Sequence, residues 1–289
     1  MVKRLVFFLV LLISCSEKNN IKDNATSGEI AIACDHSFVP IVKSLISVFE
    51  NDYPKAKIKL QATSENNAKI LLKLDSVQLI IVSSDLDSSE QKYFRNKNLR
   101  VEQVIIGYDG IAFIVNSNFS EKIMNIKKLK NIFLNADSKI RLLIDEGNSS
   151  NYNYMLKWLY PDTLKNIPYA CNKIEKIVDY ICKDKNLIGI VGFSHLSEDS
   201  NPIVEDLLKK IDIIGIEGES VNEITYPYQD YLVRNIYPFK RPIRMIFGAN
   251  YFGLAKGFAA FAAGPKGQRI VLKFGLIPET FPTRDIKLK

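Results

Sequence analysis

The chain has 289 residues, a formal net charge of +7, 47% hydrophobic residues and 10% aromatic ones. That much apolar material supplies a large core and excludes a disordered chain, and the length suits one large domain or two lobes. The charge is spread out with no long basic block, and +7 less Lys3 and Arg4 leaves +5 once a leader is removed, so nucleic acid is not an expected partner.

The first elements in chain order concern location. Lys3 and Arg4 precede an unbroken apolar run from Leu5 to Ile13, and Ser14 leads into Cys15. This is the charged, apolar and small-residue order of a secretory signal, and the run is too short to span a bilayer as a helix. Leu12, Ile13, Ser14 and Cys15 also resemble the lipobox of bacterial lipoproteins. That resemblance implies that the Cys15 thiol carries diacylglycerol with palmitate-type chains and becomes the first mature residue. It also implies a membrane-anchored protein of the cell envelope, periplasmic or at the cell surface. The alternative is an ordinary signal peptide with a chance cysteine. Ser16 to Gly28 is polar apart from Ile21 and reads as a flexible tether, with a span of about 20 Å on coil scaling.

Beyond Gly28, apolar runs alternate with segments of helical spacing, which predicts an α/β fold with mainly parallel sheets. The sequence predicts strands over Glu29–Cys34, Ile58–Ala62, Leu79–Val82, Val101–Ile106 and Ile111–Val115. Helices are predicted between them over Val39–Glu50, Asn66–Leu74 and about Glu90–Asn96. A second unit follows. It has a helix at Ile126–Leu134, a strand at Arg141–Ile144, helices at Ser150–Leu159 and Lys173–Lys183, and strands at Leu187–Val191 and Ile211–Ile216. Asn172 with Glu175 fits the start of a capping box for the Lys173 helix. A proline-rich crossing (Pro227, Pro238, Pro242), a strand at Ile243–Phe247 and two helices complete the pattern. Besides Cys15, the cysteines are Cys34, Cys171 and Cys182. Cys34 reads as a small buried hydrophobe, while a Cys171–Cys182 bridge is left open.

The most distinctive stretch is Leu254–Pro278, LAKGFAAFAAGPKGQRIVLKFGLIP. Its Gly264-Pro265 break, the triplet Gly267-Gln268-Arg269 and the Gly275 stop resemble the C-terminal signature of phosphate-binding proteins of bacterial ABC transporters. Tyr237–Pro242, Leu187–Gly192 and Ile126–Phe133 resemble further parts of that family in the same order, so the similarity runs from about Glu29 to Pro278. The resemblance implies a two-lobed periplasmic-binding-protein fold of type II, each lobe a mainly parallel sheet flanked by helices, joined by two hinge strands. Residues 29–110 and 236–289 would form lobe one and 111–235 lobe two. The hinges would lie near Gly110–Val115 and Asn235–Phe247.

In open α/β sheets a ligand sits beyond the carboxyl ends of the strands, and converging helix N-termini form an oxyanion site. Three strand-to-helix turns here bear hydroxyls at the matching positions: Ser37 with Phe38, Thr63 with Ser64, and Ser149 with Ser150 and Asn151. The expected ligand-binding set is therefore Ser37, Phe38, Ser64, Glu65, Ser84, Ser149, Ser150 and Asn151.

The sequence also departs from the family. A Gly-Ser-Gly-Thr-like turn is replaced by Asn148-Ser149-Ser150-Asn151, and the Arg expected a few residues earlier is Asp145. The Gly-rich turn of the first lobe is Ser64-Glu65-Asn66-Asn67. The Asp or Arg that follows the third strand is Ser84, with Asp85 one place on. An unpaired carboxylate about 4 Å from a unit negative charge costs about 4 kcal/mol at an effective dielectric near 20, or roughly three decades of affinity. Either Lys69, Arg241 or Arg244 neutralises these acids, or one of them is protonated, or the ligand is not phosphate.

Catalysis has little support. Ser194 and His195 are adjacent, so they cannot face each other as nucleophile and base, and no Gly-x-Ser-x-Gly elbow occurs. With two histidines and no zinc-like spacing around Cys34 and His36, no metal and no cofactor is expected. His36 is expected to line or cap the cleft and His195 to follow a strand at the surface. The functional expectation is a monomeric, lipid-anchored solute-binding protein that captures phosphate or another small oxyanion and delivers it to an ABC permease. The alternative is a structural or interaction lipoprotein with a degenerate cleft.

Overall fold

Leu79-Ile80-Ile81-Val82 has no polar position, so both faces of this strand must be covered; all four residues are buried in the computed structural model, with neighbouring strands on both edges. The structure describes residues 23–198, 201–218, 223–248 and 253–282. The predicted signal sequence, Cys15 and residues 16–22 of the predicted tether lie outside them.

In chain order the first elements are β1 (Gly28–Asp35), α1 (Val39–Asp52), β2 (Ala56–Thr63), α2 (Glu65–Lys73), β3 (Leu79–Val82), α3 (Ser88–Asn96) and β4 (Val101–Asn116). Next come β5 (Ile123–Asn125), α4 (Ile126–Leu134), β6 (Arg141–Ile144), α5 (Ser150–Leu159), β7 (Tyr169–Ala170), α6 (Ile174–Lys183) and β8 (Leu187–Gly192). The chain continues through α7 (Pro202–Leu208), β9 (Ile211–Ile213), β10 (Gly215–Glu217), β11 (Ile224–Thr225), α8 (Gln229–Val233), β12 (Lys240–Gly248), α9 (Leu254–Ala263), α10 (Pro265–Lys273) and β13 (Ile277–Pro278).

The main sheet runs β2-β1-β3-β12-β4-β8-β6-β7. Its halves meet on β4, which pairs with β12 from Val101 to Gly110 and with β8 from Ile111 to Val115. One expectation is corrected here, because the two strands predicted over Val101–Ile106 and Ile111–Val115 are a single strand. Gly107 and Gly110 look like a break in the sequence, but Gly107 is there for close approach: a Cβ on it would lie 2.5 Å from the Ile277 carbonyl oxygen of β13. The predicted Ile211–Ile216 strand, in contrast, divides. Ile214 donates its N–H to the Phe113 carbonyl, and β9 and β10 then join different sheets.

Two local expectations also change. Helix α6 begins at Ile174 with Lys173 as N-cap and no side-chain cap, so Asn172 and Glu175 form no capping box. A complete box stands instead on α3, where Asp87 and Glu90 satisfy each other's backbone N–H. The end of the tether is not free. The Asp23 carboxylate accepts from the Leu254 N–H at the start of α9, and a Cβ on Gly257 would lie 1.8 Å from the Ala25 carbonyl oxygen, so only glycine admits the segment. Gly28 then donates to the Lys55 carbonyl and already belongs to β1.

The Gln268 of the C-terminal triplet is buried and donates to the carbonyls of Ile106 and Ala262, pinning α10 to β4 and α9. In the other half, Phe113, Phe133, Trp158 and Phe239 pack edge to face with centroids 4.9–6.4 Å apart. Among the described residues, no helix is long and apolar enough to cross a membrane.

Candidate functional site

In each half of the sheet a parallel strand leads to an aspartate, the last residue of β1 and the residue after β6, and a hydroxyl-bearing turn follows. In the first half β1 ends at Asp35, whose carboxylate accepts from the Ser37 N–H at 3.0 Å in a short helical turn before α1. In the second, β6 leads into Asp145. Asn148 takes a left-handed φ of 60°, which asparagine tolerates, and this turns Ser149 into the N-cap of α5. The Ser149 Oγ accepts from the Tyr152 N–H and donates to Asp145 Oδ1 at 2.6 Å.

The two turns meet face to face. Asp35 accepts from the Ser150 N–H at 2.9 Å and from the Ser150 Oγ at 2.6 Å, both at the start of α5. In return Asp145 accepts from the Ser37 Oγ at 2.9 Å, as well as from Asn151 Nδ2 and the Glu146 N–H. Asp35, Ser37, Asn151 and Ser150 are at most 1% exposed. The central cation is Arg241 at the start of β12. Its Nη1 donates to the Ser150 Oγ at 2.8 Å, its Nη2 pairs with Asp109 at 2.9 Å, and the guanidinium lies 4.7 Å above the Phe38 ring. Asp109 also accepts from the Ser194 N–H.

Glu65, the first residue of α2, forms a second cluster nearby. It accepts from the N–H groups of Ser83 and Ser84, from the Ser84 Oγ and, across the cleft, from Asn153 Nδ2 at 3.1 Å. The Asn66 N–H donates to the Asn148 carbonyl beside it.

Charge is crowded in the centre. Burial and the neighbouring Asp145 charge push Asp35 up to about 6, against the pull of Ser150 and Arg241. Burial also raises Asp145 and Asp109, outweighing their hydrogen bonds and the attraction of Arg241. A cavity of about 790 Å³ flanks the cluster and is lined by His36, Lys43, Asp145, Asn151, Lys173 and His195, among others.

Of the expected ligand set, Ser37, Ser149, Ser150 and Asn151 come together at the centre, with Phe38 under Arg241. Glu65 and Ser84 bond to each other at the second cluster. Ser64 is the N-cap of α2, buried, with no side-chain cap bond. Lys69 turns instead to Glu90 and the Asp85 carbonyl, and Arg244 to the Ser83 carbonyl, so Arg241 is the cation at the centre. His195 does not sit at the surface: it is half-buried after β8, its Nε2 faces the His36 carbonyl, and burial lowers its pKa to about 4. His36 lies at the cleft, with its Nε2 2.9 Å from Glu146. Ser194 donates its Oγ to the Ser37 carbonyl. Cys34, Cys171 and Cys182 are free thiols, so the Cys171–Cys182 bridge does not form. Among the described residues, no cluster of three metal-ligating side chains occurs.

Sequence reasoning missed Asp35, Asp109, Ser83 and Asn153. The only local sign of Asp35 was an acid closing an apolar strand two residues before a serine, a spacing that suits a side chain to backbone turn.

The same architecture occurs in proteins of unlike roles. The structure is similar to that of a protein assigned as a phosphate ABC transporter substrate-binding protein, with bound phosphate, from Clostridium perfringens (18% identity, TM-score 0.70, covering 88% of this chain and 100% of that one). It is also similar to an ABC-type phosphate transport receptor from Vibrio cholerae (17% identity, TM-score 0.63, covering 87% and 100%). A single-residue variant of the OxyR2 regulatory domain from Vibrio vulnificus shares the fold as well (11% identity, TM-score 0.54, covering 81% and 97%). No curated protein matches the chain in sequence. At these identities the likeness shows the fold, which is that of the periplasmic binding proteins, and the ligand has to be argued from the site. The family model of the PBP superfamily domain matches residues 21–266, and the chain belongs to that superfamily.

Proposed function

We propose that this chain is a lipid-anchored solute-binding protein of the cell envelope that captures phosphate or a related small oxyanion between its halves and delivers it to an ABC importer. One observation carries the reading: donors from both halves converge on anionic oxygens. They are the Ser37 N–H and Oγ, the Ser150 N–H and Oγ, Ser149 Oγ and Asn151 Nδ2, with Arg241 hydrogen-bonded to the Ser150 Oγ. A tetrahedral oxyanion needs such a shell of hydroxyls, amides and one guanidinium, and a helix N-terminus within it favours negative charge.

In the closed arrangement those donors rest on Asp35 and Asp145. An incoming anion therefore requires the halves to part. Any carboxyl left facing the anion must also take up a proton, because an ionised one would cost about 4 kcal/mol at about 4 Å. Asp35, pushed up to about 6, is the group best placed to do so. Capture should accordingly strengthen on acidification from above to below that value. The test is calorimetric titration of the mature chain carrying Cys15→Ser with phosphate, sulfate and molybdate at pH 7.5 and 5.5. Absence of binding at millimolar concentration at both pH values overturns the oxyanion reading.

The second reading, an envelope lipoprotein whose cleft serves no transported ligand, is favoured by the bonds that already join the halves without one: Asp35 to Ser150, Asp145 to Ser37 and Glu65 to Asn153. That negative titration result would select it.

A further inference from the structure

We propose that Asp35 is an internal ligand: its carboxylate occupies the oxyanion seat at the start of α5 and, with Asp145, clasps the two halves closed when no solute is bound. Asp35 closes β1 in one half of the sheet and Ser150 opens α5 after β6 in the other, so this contact bridges the two halves. The clasp is reciprocal. Asp35 from one half takes the Ser150 N–H and Oγ from the other, while Asp145 takes the Ser37 Oγ back.

The Asp35 carboxylate has the properties of a bound anion. It lies on the first N–H of a ten-residue helix, where the unpaired amide and the positive end of the helix favour negative charge. The Ser150 hydroxyl that donates to it is itself held by Arg241 Nη1 at 2.8 Å, so the cation stands one atom behind the seat. Both Asp35 and Ser37 are 0% exposed.

Two consequences follow from mutual exclusion at the Ser150 N–H. The solute-free protein is closed, and any external oxyanion must compete with Asp35. Its apparent affinity is lowered by the fraction of molecules in which the seat is free. Removing the carboxylate should therefore open the free protein and tighten oxyanion binding, whereas loss of an ordinary ligand-binding residue would weaken it.

The binding half of this inference rests on the function proposed above, and the closure half does not. The experiment uses the mature chain with Cys15→Ser, its Asp35→Ala variant and the volume-conserving Asp35→Asn variant. It combines small-angle X-ray scattering, amide exchange at Ser150 and phosphate titration. The expected result is a phosphate-free parent with the same radius of gyration as with millimolar phosphate. Asp35→Ala should be larger without phosphate, exchange the Ser150 amide at least about tenfold faster, close again on adding phosphate and bind it about tenfold or more tightly than the parent. Asp35→Asn should move the same way by less, and it keeps the test available if the alanine variant does not fold. A phosphate-free parent that is already open overturns the proposal, as does unchanged closure with unchanged Ser150 exchange in both variants. If the variants open but bind no oxyanion, the clasp stands and the oxyanion function falls.

Discussion

Asp35 and Glu65 both end up buried and fully hydrogen-bonded, yet they differ in where their donors come from. Three of the four Glu65 donors, the Ser83 N–H and the N–H and Oγ of Ser84, belong to its own half of the molecule and only Asn153 reaches across. Of the three Asp35 donors, two belong to Ser150 in the other half. Parting the halves would leave Glu65 almost as it is and strip Asp35 of most of its partners. The first is a structural acid of one half that touches the cleft; the second depends on closure. Asp35 feels the charges of Asp145, Glu65 and Arg241 in this space.

The comparison breaks most sharply at Arg241. Arg241→Met leaves Asp109 buried without its cation and removes the donor behind Ser150, and loss of one member of a buried pair costs about 3–5 kcal/mol. Urea denaturation should show a loss of that order, and Arg241→Met with Asp109→Asn should recover most of it. A loss below about 1 kcal/mol would mean that the central charges are not desolvated as described.

Proton linkage gives the next effect. The raised Asp35 carboxyl holds a proton in the folded chain that the unfolded chain has released between about 4 and 6. Its contribution to stability is thus present at low pH and is lost as pH rises through about 6. His195 has the opposite sign. Its folded pKa is lowered to about 4, so its contribution is present above the ordinary histidine value near 6.5 and is lost as pH falls through 4. In the parent the two slopes oppose each other between pH 4 and 6. Asp35→Asn removes one of them, so relative to the parent this variant should lose stability as pH falls through that window. Denaturation at several pH values checks this, and a parent-to-variant difference that stays constant with pH would show that Asp35 titrates as a solvated acid.

The smallest effect belongs to the Glu65 cluster. Asn153→Ala removes its one side-chain donor from the other half and leaves the three home donors in place, so melting should change by about 1 kcal/mol or less. An effect as large as that of Arg241→Met would make the two clusters equivalent and dissolve the distinction between them.

Legibility in the sequence followed the range of the interaction. Helical spacing placed α1, α4 and α5 within a few residues of their observed ends, and the all-apolar run of β3 identified a strand covered on both faces. Where the sequence suggested a break but the fold continued, at Gly107 and Gly110 in β4, the causes were packing partners distant in the chain, Ile277 against Gly107 and Pro227 against Gly110. The tether was misjudged for the same reason: Asp23–Gly28 looks polar and free, but it is held by the start of α9 through Leu254 and Gly257.

The hydroxyl turns at Ser37 and Ser149–Asn151 were determined by the sequence itself, because strand ends, helix starts and their caps are set by neighbouring residues. So was the presence of Asp145 where the resemblance to phosphate-binding proteins leads to an expected arginine. Only the tertiary structure decided what those turns hold. A carboxylate at the end of one strand, a helix start 115 residues later and a guanidinium from β12 carry no spacing that relates them. Their meeting depends on two halves closing over one buried, charge-crowded point, where burial favours the protonated acid and the donors of the other half draw it back toward the carboxylate.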